Sequence, residues 1–424
     1  MKIRWRGQIS INKTLALWII FACALPALGQ EKRMTLSDIV RTALERNPGL
    51  KAAQSLAEAQ KSRIGPEGAL PDPVVGLSLK NMGLKEFSVG EEVMSGVGVS
   101  FSQAVPFPGK LALKSKIAET RARAAGQEVE VLKLSLIRQV KELYAKLFFY
   151  HRSIALLGKK KDLLEQGLRL AETKYAVGRG AQPDIFKGRV EISMVEEMIV
   201  SMKGMVSAVE ANLNSLLDYP VDSPLGEPEE IALYEFPLEL APVSEAARRG
   251  SPLLKTAGIM IEEGEREVEM AKKEFYPNFM IQVGKDFKGP LPDMYEIMVG
   301  VEIPLYLKKK QAKLLEESRT RLTGLNHDFR SMKNEVDFMV KESFVMAETA
   351  EDVIRLYREK ILPQAKLAIE SSLANYQVDK VDFLMLLSDI NSLYSYETEH
   401  ARNLSNLWTA AAKIEELTSL EILK

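Results

Sequence analysis

Cysteine and histidine are almost missing from this chain: one Cys and three His in 424 residues. That scarcity argues against a disulfide framework, a zinc ribbon or a Cys/His nucleophile pair. His151, His327 and His400 stand alone on helical stretches with no partner at metal-ligand spacing, so no metal site and no cofactor are expected. An excess of either charge is also lacking, with 57 Lys+Arg against 58 Asp+Glu. Nucleic-acid binding, which needs a concentrated basic face, is therefore not expected. Beyond the first thirty residues no apolar run reaches the roughly 20 residues of a spanning helix. There is no G-x-S-x-G, no H-E-x-x-H and no paired carboxylate at a strand end, which leaves an exported hydrolase without chemistry and the chain read as no enzyme.

What is present is ample material for a core, 46% hydrophobic residues with 27% charged. The first residues form a leader: Lys2, Arg4, Arg6 and Lys13 make a positive start, Leu15 to Leu25 an apolar run, and Ala27-Leu28-Gly29 a small-residue cleavage site. Residues 1–29 are read as an export signal. Cys23 would leave with it, because Phe21 and Ala22 make a poor lipidation site. An exported chain without spanning helices can enter a membrane only as a closed barrel.

The remainder is written twice. Asn47-Pro48 recurs as Ser251-Pro252, Pro71 as Pro277, Val105-Pro106-Phe107 as Ile303-Pro304-Leu305, and the break that starts at Tyr175 (YAVGRGAQPD) as the one at Tyr376 (YQVDKVD). These landmarks keep one order at offsets near 200 residues, far beyond the solenoid range. The reading is a first repeat over 30–217 with strands at about 72–105, a Pro-rich connector over 218–242, and a second repeat over 243–424 with strands at about 277–304. Each repeat runs helix, strand, strand, long helical hairpin. No proline interrupts Lys110 to Tyr175, which predicts a rod of roughly 100 Å. Pro363 predicts a kink or restart in the corresponding rod of the second repeat.

Four short segments alternate. Val75, Leu77 and Leu79 oppose Gly76, Ser78 and Lys80; Val97, Val99 and Phe101 oppose Gly98, Ser100 and Ser102; Phe279, Ile281 and Val283 oppose Gln282 and Gly284; Ile297, Val299 and Val301 oppose Gly300 and Glu302. One apolar and one small or polar face describes a strand with lipid on one side and water on the other, although a soluble sheet packed on a helix alternates too. Four strands cannot close a barrel, so several copies must share one; three copies would supply about twelve strands. The charge runs Lys159 to Lys161 and Lys308 to Lys310 are read as solvated faces or rim anchors. An exported coiled-coil scaffold, or a periplasmic adaptor without its own pore, would explain the rods but not the four alternating strands.

The duplicated plan, the N-P and S-P helices, the VPFPGK turn into a long helix and the Y-x-x-G-x5-D break together resemble the TolC-type outer-membrane efflux proteins over essentially the whole mature chain, the heavy-metal and cation efflux branch included. The resemblance implies a mainly α fold with a small β part. Long hairpins would form a periplasmic α-barrel, and the four strands would contribute to a trimeric, twelve-stranded transmembrane β-barrel in outer-membrane lipid. It further implies a passive exit duct in the cell outer membrane. The duct would work with a periplasmic adaptor (a membrane fusion protein) and an inner-membrane transporter of the RND type. In the family the hairpin tips close the periplasmic end, and these tips match the breaks at Tyr175 and Tyr376. Tyr175, Gly178 and Asp184 fit the first tip. At the second tip the family's arginine is replaced by Val381 and its acidic ring positions by Met385 and Ser388. The charged substitutes are Lys380 for a tether and Asp379, Asp382 and Asp389 for a ring. As an alternative, Asp184 and Asp382 are helix caps.

Overall fold

The structure, a computed structural model, describes residues 35–82, 89, 92–231 and 239–423. The expected leader with Cys23, and part of the connector with Pro237, lie outside the described residues.

The first repeat opens with α1 (Leu36–Arg46) and α2 (Pro48–Ser62), joined at Asn47. Asn47 ends one helix and starts the next: its side chain accepts from the Leu50 N–H at 2.9 Å while Pro48 occupies the first helical position, where its missing N–H costs nothing. A short α3 (Ile64–Gly68) leads into β1 (Val74–Lys80) and β2 (Gly96–Val105). Helix α4 (Lys110–Ala176) then runs 67 residues, and α5 (Gln182–Leu216) returns alongside it. The second repeat follows the same order: α6 (Leu240–Gly250), α7 (Pro252–Lys273), β3 (Asn278–Phe287), β4 (Met294–Glu302), α8 (Gln311–Leu356), a π-helical turn over Tyr357–Ile361, α9 (Leu362–Gln377) and α10 (Phe383–Thr418).

Three expectations need correction. Helix α6 begins at Leu240, inside the stretch read as connector, because Pro242 falls in the first turn, where proline is tolerated. The break at Pro363 is a π-turn rather than a restart: Pro363 has no N–H to give to its i−4 carbonyl, and the chain instead bonds Leu362 N–H to the Tyr357 carbonyl five residues back. Lys160 is not on a solvated face; it is buried, and burial holds its pKa below the ordinary lysine value, against an opposing pull from Glu191.

The four strands make one antiparallel sheet in the order β1-β2-β3-β4. Its register aligns Val75 with Phe101 and Leu77 with Val99, Phe101 with Val283, and Val283 with Ile297. All the odd-numbered positions thus share one face. That face is apolar except for Gln103 and Lys285, which lie toward opposite ends, and it is bare: Leu77 is 80% exposed and Ile297 79%. Lys285 holds Asp293 at 3.0 Å and lies between Phe287 and Tyr295, 4.8 Å and 5.6 Å from their ring centres, as a cation at an interfacial aromatic belt does. The even face carries Gly76, Ser78, Gly98, Ser100, Gln282, Gly284 and Gly300, small or polar through its middle except for Met280 and Met298.

The hydrophobic core lies among the helices, in two clusters along the rods. The larger gathers α1, α6, the middle of α4 and the far end of α10 around Val140, Leu213, Val340, Leu407 and Ile414. There Lys141 and Glu415 form a buried ion pair at 2.6 Å, and Glu415 also accepts from the Ile422 and Leu423 N–H groups, fastening the C-terminal strap. The smaller cluster, around Leu164, Val195, Phe383, Leu386 and Ile390, stands beneath the two hairpin turns.

Candidate functional site: the hairpin tips

The two turns share one backbone design. After α4, Gly178 takes a left-handed φ of 73° and its N–H donates to the Tyr175 carbonyl at 3.0 Å, while Gly180 N–H reaches the Lys174 carbonyl at 3.1 Å. After α9, Asp379 takes a φ of 61° with its N–H 3.3 Å from the Tyr376 carbonyl, and Lys380 N–H reaches the Asn375 carbonyl at 2.9 Å. A left-handed residue falls at the same place in both copies. Glycine occupies it freely and aspartate is among the side chains that tolerate it. Gly180 is also required, since a Cβ there would stand 2.8 Å from the Tyr175 backbone nitrogen.

A lysine joins the turns. Lys174, in the last turn of α4, donates through Nζ to the Tyr376 carbonyl and to the Asp379 carboxylate, and the same Nζ lies 4.4 Å from the centre of the Tyr376 ring. The first hairpin thereby supplies a cation to the C-terminus of α9, where unpaired carbonyls and the helix dipole favour one. The Lys174 ammonium, with Arg179 adding to it, holds the Asp379 carboxyl below its ordinary pKa. Burial, together with the charges of Asp184 and Asp379, pushes the Tyr376 phenol up to about 12, so it stays neutral.

Beneath the turn, Phe383 fills the gap between the hairpins. It is buried and tilted against Tyr376 at 5.7 Å. Gly188 of α5 leaves room for it: a Cβ there would stand 3.1 Å from both the Phe383 ring and Leu168.

The site residues expected from sequence separate into distinct roles. Tyr376 and Asp379 meet at the tether. Gly178 and Tyr175 form the first turn, with Tyr175 half exposed. Asp382 is the N-cap of α10, its Oδ1 accepting from Met385 N–H at 2.8 Å. Asp184 is not a cap: α5 starts after Ala181, and Asp184 lies in its first turn, where its charge bears on Tyr376. Lys380, the expected tether, is exposed and forms no ion pair among the described residues, and Lys174 holds Asp379 in its place. Asp389 accepts from Ser372 within its own hairpin. Sequence reasoning missed Lys174, whose partners lie 202 and 205 residues away and whose counterpart in the second repeat is Asn375. Among the described residues no acidic or histidine cluster could hold a metal ion, and no helix is long and apolar enough to cross a membrane.

Comparison with known proteins agrees with this architecture. Residues 39–217 match the sequence profile of the family described as outer membrane efflux protein. The multidrug resistance outer membrane protein MdtP of Escherichia coli K12 is 27% identical over 164 residues, which is 38% of this chain and 33% of MdtP, so the match spans a third of that relative's length. In solved structures, the outer membrane protein VceC of Vibrio cholerae superposes with a TM-score of 0.77 at 15% identity, covering 90% of this chain and 96% of VceC. CusC, described for its transmembrane channel formation, superposes with a TM-score of 0.77 at 14% identity, covering 90% and 91%. Over residues 39–217 the chain therefore matches the outer membrane efflux protein family, and its fold is that of the TolC-type channels.

Proposed function

We propose that the chain is a non-enzymatic exit duct, a homotrimer that passively conducts cargo delivered by an inner-membrane transporter through a periplasmic adaptor. One observation carries this reading: a four-stranded sheet with an apolar face, a small and polar face, and two free edges at β1 and β4. Unpaired backbone groups are not tolerated in hydrocarbon, so the sheet must be closed by other copies. The rods supply a matching edge, since α5 presents exposed Phe186, Val190 and Met194 at four-residue spacing. Residues 1–29 act as the export signal and 30–217 and 240–424 as the two repeats. The tips, with Tyr175, Gly178, Asp184, Tyr376, Asp379 and Lys380, form the periplasmic gate, and Asp382, expected from sequence to belong to it, caps the helix behind it.

Purified protein should need detergent, survive as a cross-linkable trimer and form channels in planar bilayers. A water-soluble monomer released from membranes by carbonate would instead favour the scaffold reading.

A further inference from the structure

On the even face of the sheet, at the end far from the helices, one lysine spans three strands. Lys80 Nζ, from β1, lies 2.8 Å from Asp286 Oδ2 on β3 and 2.9 Å from Glu296 Oε2 on β4. The side chain reaches them across β2, and β2 permits it because it carries glycine there. A Cβ at Gly98 would stand 2.4 Å from Asp286 Oδ1, 2.5 Å from Ser78 Oγ and 3.5 Å from Lys80 Cε. Around the triad the same face offers Ser78, Gly96, Ser100 and Gly284, with Met294 opposite Asp286 and Met298 two places beyond Glu296, and the Glu296 side chain stays 41% exposed. The one other charged residue of that face, Glu302, sits at the helix-proximal end beside Asn278.

We propose that Lys80 is the residue that sets the ion selectivity of the outer mouth, by neutralising one of two facing carboxylates; this rests on the channel reading above. The triad of each chain then carries one negative charge in excess, and identical chains around an axis repeat it as a ring. A ring of fixed charge at a pore wall concentrates counter-ions. Its reach is the Debye length, about 10 Å at 0.1 M salt and about 3 Å at 1 M, so the effect belongs to low salt. A purely structural strap would influence assembly but not which ion crosses.

The test is the reversal potential of the full-length protein in planar bilayers under a KCl gradient, with trimer recovery checked for each variant. Lys80→Gln should move the potential toward potassium selectivity and Glu296→Gln away from it. The double variant Lys80→Gln/Glu296→Gln, which has lost both bridging partners but regained the parental charge, should return close to the parent. Lys80→Arg should match the parent, and all differences should shrink at 1 M salt. A parental reversal potential in both single variants, or a double variant as displaced as Lys80→Gln, overturns the inference while leaving the channel standing. Should Lys80→Gln fail to assemble, Glu296→Gln, which keeps the Lys80 to Asp286 pair, decides alone. No conductance from the parent sinks the duct reading itself.

Discussion

Lys174 and Asp379 come from opposite repeats and meet as an ion pair at the tips of the two hairpins. Because Lys174 also holds the Tyr376 carbonyl, the pair fixes the end of α9 to the end of α4. Releasing it should loosen the tips. Asp379→Asn or Lys174→Met is expected to raise single-channel conductance or open probability in bilayers, and unchanged traces in both would remove the pair from the gate.

Protonation should do the same. The folded-state pKa of Asp379 is depressed, so its contribution is complete above the unfolded Asp value of about 3.9 and is lost as pH falls through the lower folded value. Conductance of the parent is expected to be flat at neutral pH and to rise only in strong acid, with Asp379→Asn insensitive over the same range. A parental transition near pH 6 would point to another group.

Asp382 should behave differently. As the N-cap of α10 it supports the helix, so Asp382→Ala should cost about 1 kcal/mol in thermal unfolding while Asp382→Asn costs little. Neither is expected to alter conductance as Asp379→Asn does. A large conductance change in Asp382→Asn with unaltered stability would restore it to the gate.

The buried pair in the larger core is a stability element. Lys141→Met strands the Glu415 carboxylate in a site where both side chains are under 9% exposed, and should cost about 3–5 kcal/mol. Adding Glu415→Gln removes the stranded charge and keeps an acceptor for the Ile422 and Leu423 N–H groups, so the double variant should recover part of the loss. Denaturation in detergent measures both, and equal stability of the single and double variants would contradict the account.

The two faces of the sheet should tolerate charge unequally. Leu77→Lys on the apolar face should cost about 2–4 kcal/mol if the residue lies near the bilayer midplane, while Gln282→Lys on the polar face should assemble normally. Trimer yield from outer membranes separates them, and equal yields would undermine the lipid-facing assignment.

The repeated landmarks, the alternating strands and the uninterrupted α4 were all readable because they are local periodicities, of two residues in Val75 to Leu79 and of three to four in Leu136 to Leu147. The tether and the triad were not, because their members lie some two hundred residues apart and meet only through the register of the sheet and the packing of the rods. Lys160 looked like one of three solvated lysines in a row. A helix turns 100° per residue, so adjacent lysines cannot share a face, and the middle one points inward. Asp184 and Asp382 looked equivalent, yet only Asp382 immediately precedes its helix, since α5 starts two residues before Asp184.

The π-turn at Tyr357–Ile361 makes the halves non-exchangeable. Inward residues of α8 recur as Val336, Val340, Ser343, Ala347, Ala350 and Ile354, and resume in α9 at Ile369, fifteen positions after Ile354 and one more than two heptads. The wide turn absorbs that surplus residue, so Ile369 still faces the seam. Ancestral symmetry survives in the order of elements but no longer in their phase: a chimaera carrying the uninterrupted α4 segment in place of α8 to α9 would turn its downstream seam about a quarter of the way round the rod.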